Sequence, residues 1–356
     1  MSEDRVRQII KPAILAARAY HVPDAQGFIK LDAMENPYVW SEDLKDEWLS
    51  CLKQAELNRY PDAGTKELRK SLSDLFSVPE SLAIMFGNGS DELIQIILMA
   101  LNKTSNVVMA PEPTFVMYRF LSTILDLEFA GVPLNRDFSL DLPAMLDAIK
   151  QKQPAVIFIA WPNNPTGNAF DRGALEEIIT TTSGLVVIDE AYHVFAGNSM
   201  LDAIEKYPNV LLMRTLSKLG LAGLRLGTLI GAPVWINEFE KIRLPYNIGT
   251  LNQLTVNFIC QHIDVLYQQA EQIKTDRQAV YNELSNSQGV NVWPSDANFI
   301  LFRVNDADHV HAALKNKKIL IKNLNGAHPL LENCLRVTIG TEEENNSFIS
   351  SLKSIL

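Results

Sequence analysis

The sequence predicts an α/β fold: a mainly parallel central sheet covered by helices, with a smaller α/β second domain. From about residue 65, short β-rich runs alternate with helical patterns, the signature of parallel strands joined through helices. Most of those runs are continuously apolar, as strands buried on both faces must be. The length of 356 residues corresponds to about two domains. A chain with 47% hydrophobic and 21% charged residues is globular, which excludes wholesale disorder.

Residues 1–45 mix polar and apolar side chains around Pro12, Pro23 and Pro37 without a sustained period, and read as an arm packed on other structure. The large domain spans 46–249. Its strands are expected at 82–86, 106–109, 155–160, 185–189, 210–214 and 226–230. Between the first two, residues 91–101 put Ile94, Ile97, Leu98 and Leu101 on one helical face, and 172–181 also reads as a helix. Beyond about 245 the pattern changes. A polar helical stretch at 250–286 connects to a small domain at 287–356. That domain carries strands at 290–292, 299–304 and 335–339, a helix at 308–315 and a terminal helix from 342. The N-terminal arm is a candidate to complete it.

Composition narrows the function. A net charge of −10 argues against nucleic acid or an anionic membrane as partner. The apolar run 155–161 covers seven residues, against about 20 needed to span a bilayer. Acids at Glu3 and Asp4 occupy the place where a signal peptide carries positive charge, so a cytoplasmic protein is expected. Cys51, Cys260 and Cys334 are far apart and odd in number, which suits neither a disulfide framework nor a zinc site. His309 and His311 lack a third ligand, so no metal is expected.

Ligands of open α/β sheets bind beyond the carboxyl ends of strands, and four segments there carry unusual polar residues. Asp189 follows Leu185-Val-Val-Ile, so its carboxylate sits at the rim of a buried sheet and calls for a cationic partner. Pro162-Asn-Asn164-Pro-Thr-Gly167 is a rigid turn that fixes an amide donor. In Thr215-Leu-Ser217-Lys218, the lysine lies among apolar neighbours, which disfavour its charged form and expose a nucleophilic amine, and Arg225 follows seven residues on. Gly87-Asn-Gly-Ser90-Asp91-Glu92 opens a helix, with Ser90 as expected N-cap and free N–H groups for a phosphate. The third glycine of a dinucleotide fingerprint and the Gly-Lys-Ser/Thr of a P-loop are both missing. A carboxylate for a cationic ring nitrogen, an amide and a phenol for a ring oxygen, a lysine for an aldehyde and a phosphate cradle together match pyridoxal 5′-phosphate.

In their order along the chain, Gly-Asn-Gly-Ser-Asp-Glu, Pro-Asn-Asn-Pro-Thr-Gly, Val-Ile-Asp-Glu-Ala-Tyr and Ser-Lys-Leu-Gly-Leu-Ala-Gly-Leu-Arg resemble the fold-type I aminotransferases. Within them the sequence is most similar to the histidinol-phosphate aminotransferase family, through Leu31-Asp-Ala-Met-Glu-Asn-Pro37, Asn58-Arg-Tyr60-Pro61 and Cys334-Leu-Arg336-Val-Thr-Ile-Gly-Thr341. The resemblance implies that Lys218 links to the cofactor aldehyde, that Asp189 pairs with the pyridine nitrogen, and that Asn164 and Tyr192 bond the ring hydroxyl. It implies further that Phe115 stacks on the ring, and that Ser90, Asp91, Ser217 and Arg225 hold the phosphate. Tyr60 would reach the phosphate in the neighbouring subunit of a homodimer, and Arg336 would bind the anionic end of the substrate. The implied reaction moves an amino group between histidinol phosphate and 2-oxoglutarate, giving imidazole-acetol phosphate and glutamate.

This sequence departs from the family at several places. Met34 stands where many relatives have asparagine, so it is assigned no contact, and Lys322 replaces an arginine, keeping the charge without the bidentate fork. Tyr20 is the candidate for a tyrosine of the family's N-terminal arm. An aromatic aminotransferase, a phosphothreonine decarboxylase and a catalytically idle relative remain as alternatives, the intact Lys218, Asp189, Asn164 and Arg225 counting against the last.

Overall fold

The computed structural model describes residues 3–19, 23–102, 104 and 106–356, so Tyr20 lies outside the described residues. The strands are β1 (Ile29–Leu31), β2 (Ala83–Asn88), β3 (Val107–Glu112), β4 (Glu128–Pro133), β5 (Val156–Ala160) and β6 (Leu185–Asp189). They continue with β7 (Val210–Thr215), β8 (Leu226–Gly231), β9 (Asn291–Val292), β10 (Phe299–Arg303), β11 (Ile319–Asn323) and β12 (Cys334–Thr338). A seven-stranded sheet runs in the order β2-β8-β7-β6-β5-β3-β4, and a five-stranded sheet in the order β1-β11-β12-β10-β9.

In the large sheet only β8 opposes its neighbours; the pairs β3–β4, β3–β5, β5–β6 and β6–β7 are parallel. Side chains alternate between faces along each strand. In β6, Val186 and Ile188 enter one apolar cluster while Leu185 and Val187 enter another. Both faces of the strand are therefore dry, which is why its sequence is an unbroken apolar run. Register then sets the site. Ala160 is opposite Asp189, and Asp189 is opposite Met213. Because β8 is reversed, its first residue, Leu226, lies opposite Asn88, and Gly227 lies opposite Thr215. Four chain segments distant in sequence thus deliver their polar ends to one edge.

The helix Ser90–Met99 begins where expected, but Ser90 is its first residue and not its N-cap. Gly89 occupies the cap with φ +83, and a Cβ there would come within 2.7 Å of the Arg225 guanidinium. Only glycine satisfies both the left-handed backbone and that close approach. The polar stretch after 250 is two helices, Thr250–Gln261 and Ile263–Ser285, which break at His262 with φ −121 and ψ 23. Strands β1, β4 and β11 were not expected. The first two are edge strands with one covered side, and β1 is three residues long.

In the small sheet β1 pairs parallel with β11, bringing residues 29–31 from the arm beside residues 319–321. The terminal helix Glu342–Lys353 starts with a reciprocal capping box between Thr341 and Glu344, its acids in the first turn as expected. Among the described residues, no helix is long and apolar enough to cross a membrane.

Candidate active site

A cavity of about 110 Å³ opens at the carboxyl edge of the large sheet, lined by Ser90, Asp91, Phe115, Asn164, Asp189, Tyr192, Ser217, Lys218 and Arg225. All nine were expected in one site, Phe115 only through the family resemblance and the others also from their own segments. Met34, Thr215, Ala160 and Ala191 complete the lining.

Lys218 lies in a single π-helical turn, Ser217–Leu221, directly after β7. Its Nζ donates to the carbonyl of Ala33 at 3.1 Å and lies 5.9 Å from the Tyr192 ring centre. Enclosure by protein, followed by the nearby Arg336 charge, lowers its pKa to about 8. The amine form of Lys218 is therefore accessible near neutrality.

Asp189, the last residue of β6, is buried. Burial raises its pKa to about 6, opposed by a hydrogen bond from the Tyr118 hydroxyl to Oδ2 at 2.7 Å and one from the Ala191 amide to Oδ1 at 3.1 Å. No cation pairs with it among the described residues, so the sequence-based expectation of a cationic partner points to a ligand. Tyr118 was not singled out from sequence. It sits three residues after Phe115 on the helix Val116–Ile124, stacks on Phe158 at 4.7 Å, and fixes the carboxylate. The available signal was that i, i+3 spacing, with a tyrosine on an otherwise apolar face.

On the opposite side, Asn164 Nδ2 donates to the Tyr192 hydroxyl at 3.2 Å, while its Oδ1 accepts from Arg336 at 2.5 Å. Burial raises the Tyr192 pKa, so the phenol stays protonated. At the far end, Arg225 donates to Ser217 Oγ at 3.5 Å and to Asp91 Oδ2 at 3.3 Å. It reaches over the start of the helix at Ser90, and Gly227 makes room: a Cβ there would lie 2.8 Å from the Ser90 amide nitrogen. A guanidinium, a hydroxyl and the free N–H groups of a helix N-terminus together suit a phosphate.

Arg336 and Lys322 do not line this cavity. They line two adjoining ones, of about 600 and 580 Å³. Their Cα atoms are register partners on β12 and β11, so both side chains leave the same face of the small sheet. Like charges placed directly opposite are destabilising. Such a pair suits an anion between them. Arg336 also donates to the carbonyl of Asp32 at 3.0 Å. Tyr60 lies away from all three cavities, 80% exposed and stacked on Tyr246 at 4.5 Å.

His193 packs edge-on against Phe76, and burial lowers its pKa to about 3, consistent with a neutral structural role. Among the described residues no group of three or more His, Cys, Asp and Glu could hold a metal ion.

The model of the family described as aminotransferase class I and II matches residues 26–352. The chain belongs to that family. A similar aminotransferase is histidinol-phosphate aminotransferase 2 of Nitrosococcus oceani, 51% identical over 99% of each chain. Histidinol-phosphate aminotransferase of Chromobacterium violaceum is 46% identical over 98% of each chain. In fold, this aminotransferase resembles the crystal structure of histidinol-phosphate aminotransferase from Sinorhizobium meliloti in complex with pyridoxal 5′-phosphate. That likeness has a TM-score of 0.85 at 22% identity, covering 98% of this chain and 97% of the other.

Proposed function

We propose that this aminotransferase is a pyridoxal-phosphate-dependent histidinol-phosphate transaminase of histidine biosynthesis, with 2-oxoglutarate as amino acceptor. The observation that carries the substrate reading is the Lys322–Arg336 register pair beside the Lys218 cavity. The 51% identity with a histidinol-phosphate aminotransferase over the full length supports it.

The donor set fits the cofactor. Arg225, Ser217 and the amides of Ser90 and Asp91 would hold its phosphate, Asp189 its ring nitrogen, and Asn164 and Tyr192 its ring oxygen. Phe115 would cover the ring, and Lys218 would engage the aldehyde. Pyridoxal phosphate supplies an electrophilic aldehyde and a ring that accepts electrons from the substrate's Cα. Once the substrate's amine has replaced it at the aldehyde, Lys218 Nζ would be a free amine with a lowered pKa, placed to take the proton from that Cα. Asp189 holds a proton on the ring nitrogen. Arg336 and Lys322 bind the phosphate ester of histidinol phosphate and, in the second half-reaction, a carboxylate of 2-oxoglutarate.

The reading extends to a cytoplasmic homodimer in which Tyr60 reaches the neighbouring subunit's cofactor phosphate, in keeping with its exposure on its own subunit. Residues 46–249 form the cofactor-binding part, 250–286 the connection and 287–356, with the arm, the small domain.

Lys322→Met is expected to raise KM for histidinol phosphate by about 10- to 100-fold, the worth of one charge-assisted contact, with kcat nearly unchanged. Unchanged KM would remove Lys322 from the anion site. Arg336→Gln should also lower kcat, because Arg336 holds Asn164 as well. Steady-state assay against 2-oxoglutarate tests the function itself. Histidinol phosphate should exceed phenylalanine in kcat/KM by at least about 100-fold; the reverse preference would assign the chain to aromatic amino acids.

A further inference from the structure

We propose that Met34 determines specificity: its side chain is the movable wall that lets one anion site take a phosphate ester and a dicarboxylate in turn. The proposal rests on the histidinol-phosphate reading and adds how one site serves both half-reactions.

Met34 has φ +53, a left-handed backbone that is strained for a long side chain. Two hydrogen bonds, one from β12 and one from the residue just before β10, hold it there. Its amide donates to Thr338 Oγ1 at 3.0 Å, and its carbonyl accepts from Asn298 Nδ2 at 3.1 Å. The two preceding carbonyls are also engaged, Asp32 by Arg336 and Ala33 by Lys218. The backbone of this segment is therefore held by the same groups that serve the reaction, while the Met34 side chain, packed at the edge of the small-domain core and only partly buried, keeps its rotatable bonds.

Its position makes such a change consequential. Among the described residues, only Met34 and Phe115 line the Lys218 cavity and both larger cavities beside it. Phe115 is a rigid ring at the start of the helix Val116–Ile124. Methionine is unbranched, with three rotatable bonds and a polarisable thioether, so it can fill whichever volume the ligand leaves. Histidinol phosphate brings an imidazole as well as a phosphate; a dicarboxylate brings neither. Turning the thioether from one cavity towards another closes the space that the second ligand leaves open.

Met34→Leu keeps apolar bulk but branches the chain and removes a rotor, and Met34→Ala removes the wall. Both are compared with the wild type as holoenzymes, with histidinol phosphate and glutamate as amino donors. Calorimetric Kd values are measured for glutarate and for the desamino analogue of histidinol phosphate, which bind without reacting. The ratio of kcat/KM between the two donors, which is insensitive to any unfolded fraction, should shift by about 10-fold or more in at least one variant, and the ratio of Kd values should follow. Ratios within about twofold of wild type in both variants would overturn the proposal. A wild-type enzyme inactive on histidinol phosphate would instead overturn the functional reading, and would be seen before any variant is assayed.

Discussion

Lys218→Ala is expected to lower transamination by about 100- to 10,000-fold, the range lost with a positioned acid–base group. The lysine occupies the turn after β7, with Nζ anchored on Ala33 and a pKa lowered to about 8. Alanine removes the amine that takes the Cα proton. The loss should appear in kcat at saturating donor, while the contacts of Arg336 and Lys322 with substrate keep its binding close to that of the wild type. Partial recovery by added methylamine would identify the missing amine as the cause. Turnover within about 10-fold of wild type would sink the role given to Lys218.

Asp189→Asn should be nearly as damaging, by about 100-fold or more, because the amide cannot hold the ring-nitrogen proton electrostatically. Its effect on stability should run the other way. In the cofactor-free fold, burial raises the Asp189 pKa from 3.8 to about 6. The folded state then binds the proton more tightly than the unfolded one, so stability is fully present below the unfolded value and lost as pH rises through about 6. Above that, the ionised carboxylate costs about 3 kcal/mol. Cofactor-free Asp189→Asn should therefore be more stable than wild type at pH 8 and lose that advantage towards pH 4. Denaturant unfolding at both pH values checks it, and a variant destabilised at pH 8 would contradict the burial argument. Activity gained by the charge and stability lost to it are two consequences of one buried position.

Much of the site was legible because its residues close continuous apolar strands. Asp189 ends β6, and the Ser217–Lys218 turn follows β7, so local sequence already located them at a sheet edge. Arg225 could be grouped with Ser217 by the short spacing, but its approach to Ser90 depends on β8 running antiparallel between β2 and β7. That order is a tertiary fact. The pairing of Lys322 with Arg336 was hidden for the same reason, since strand register is written in no single segment. Tyr118 and Met34 went unassigned because one reads as ordinary core and the other as a departure from a motif. Only packing reveals that the first holds Asp189 and the second borders three cavities. Strands β1 and β4 lacked a signal because edge strands need not be apolar on both faces, and the break at His262 is marked by neither glycine nor proline.

The most direct test mixes the pyridoxal-phosphate-loaded protein with one equivalent of histidinol phosphate and no oxo acid, following the visible spectrum and the products. The band of the lysine-bound cofactor should disappear, imidazole-acetol phosphate should form in an amount equal to the sites, and 2-oxoglutarate should restore the band while releasing glutamate. A band that histidinol phosphate leaves unchanged and phenylalanine removes would contradict the histidinol-phosphate reading.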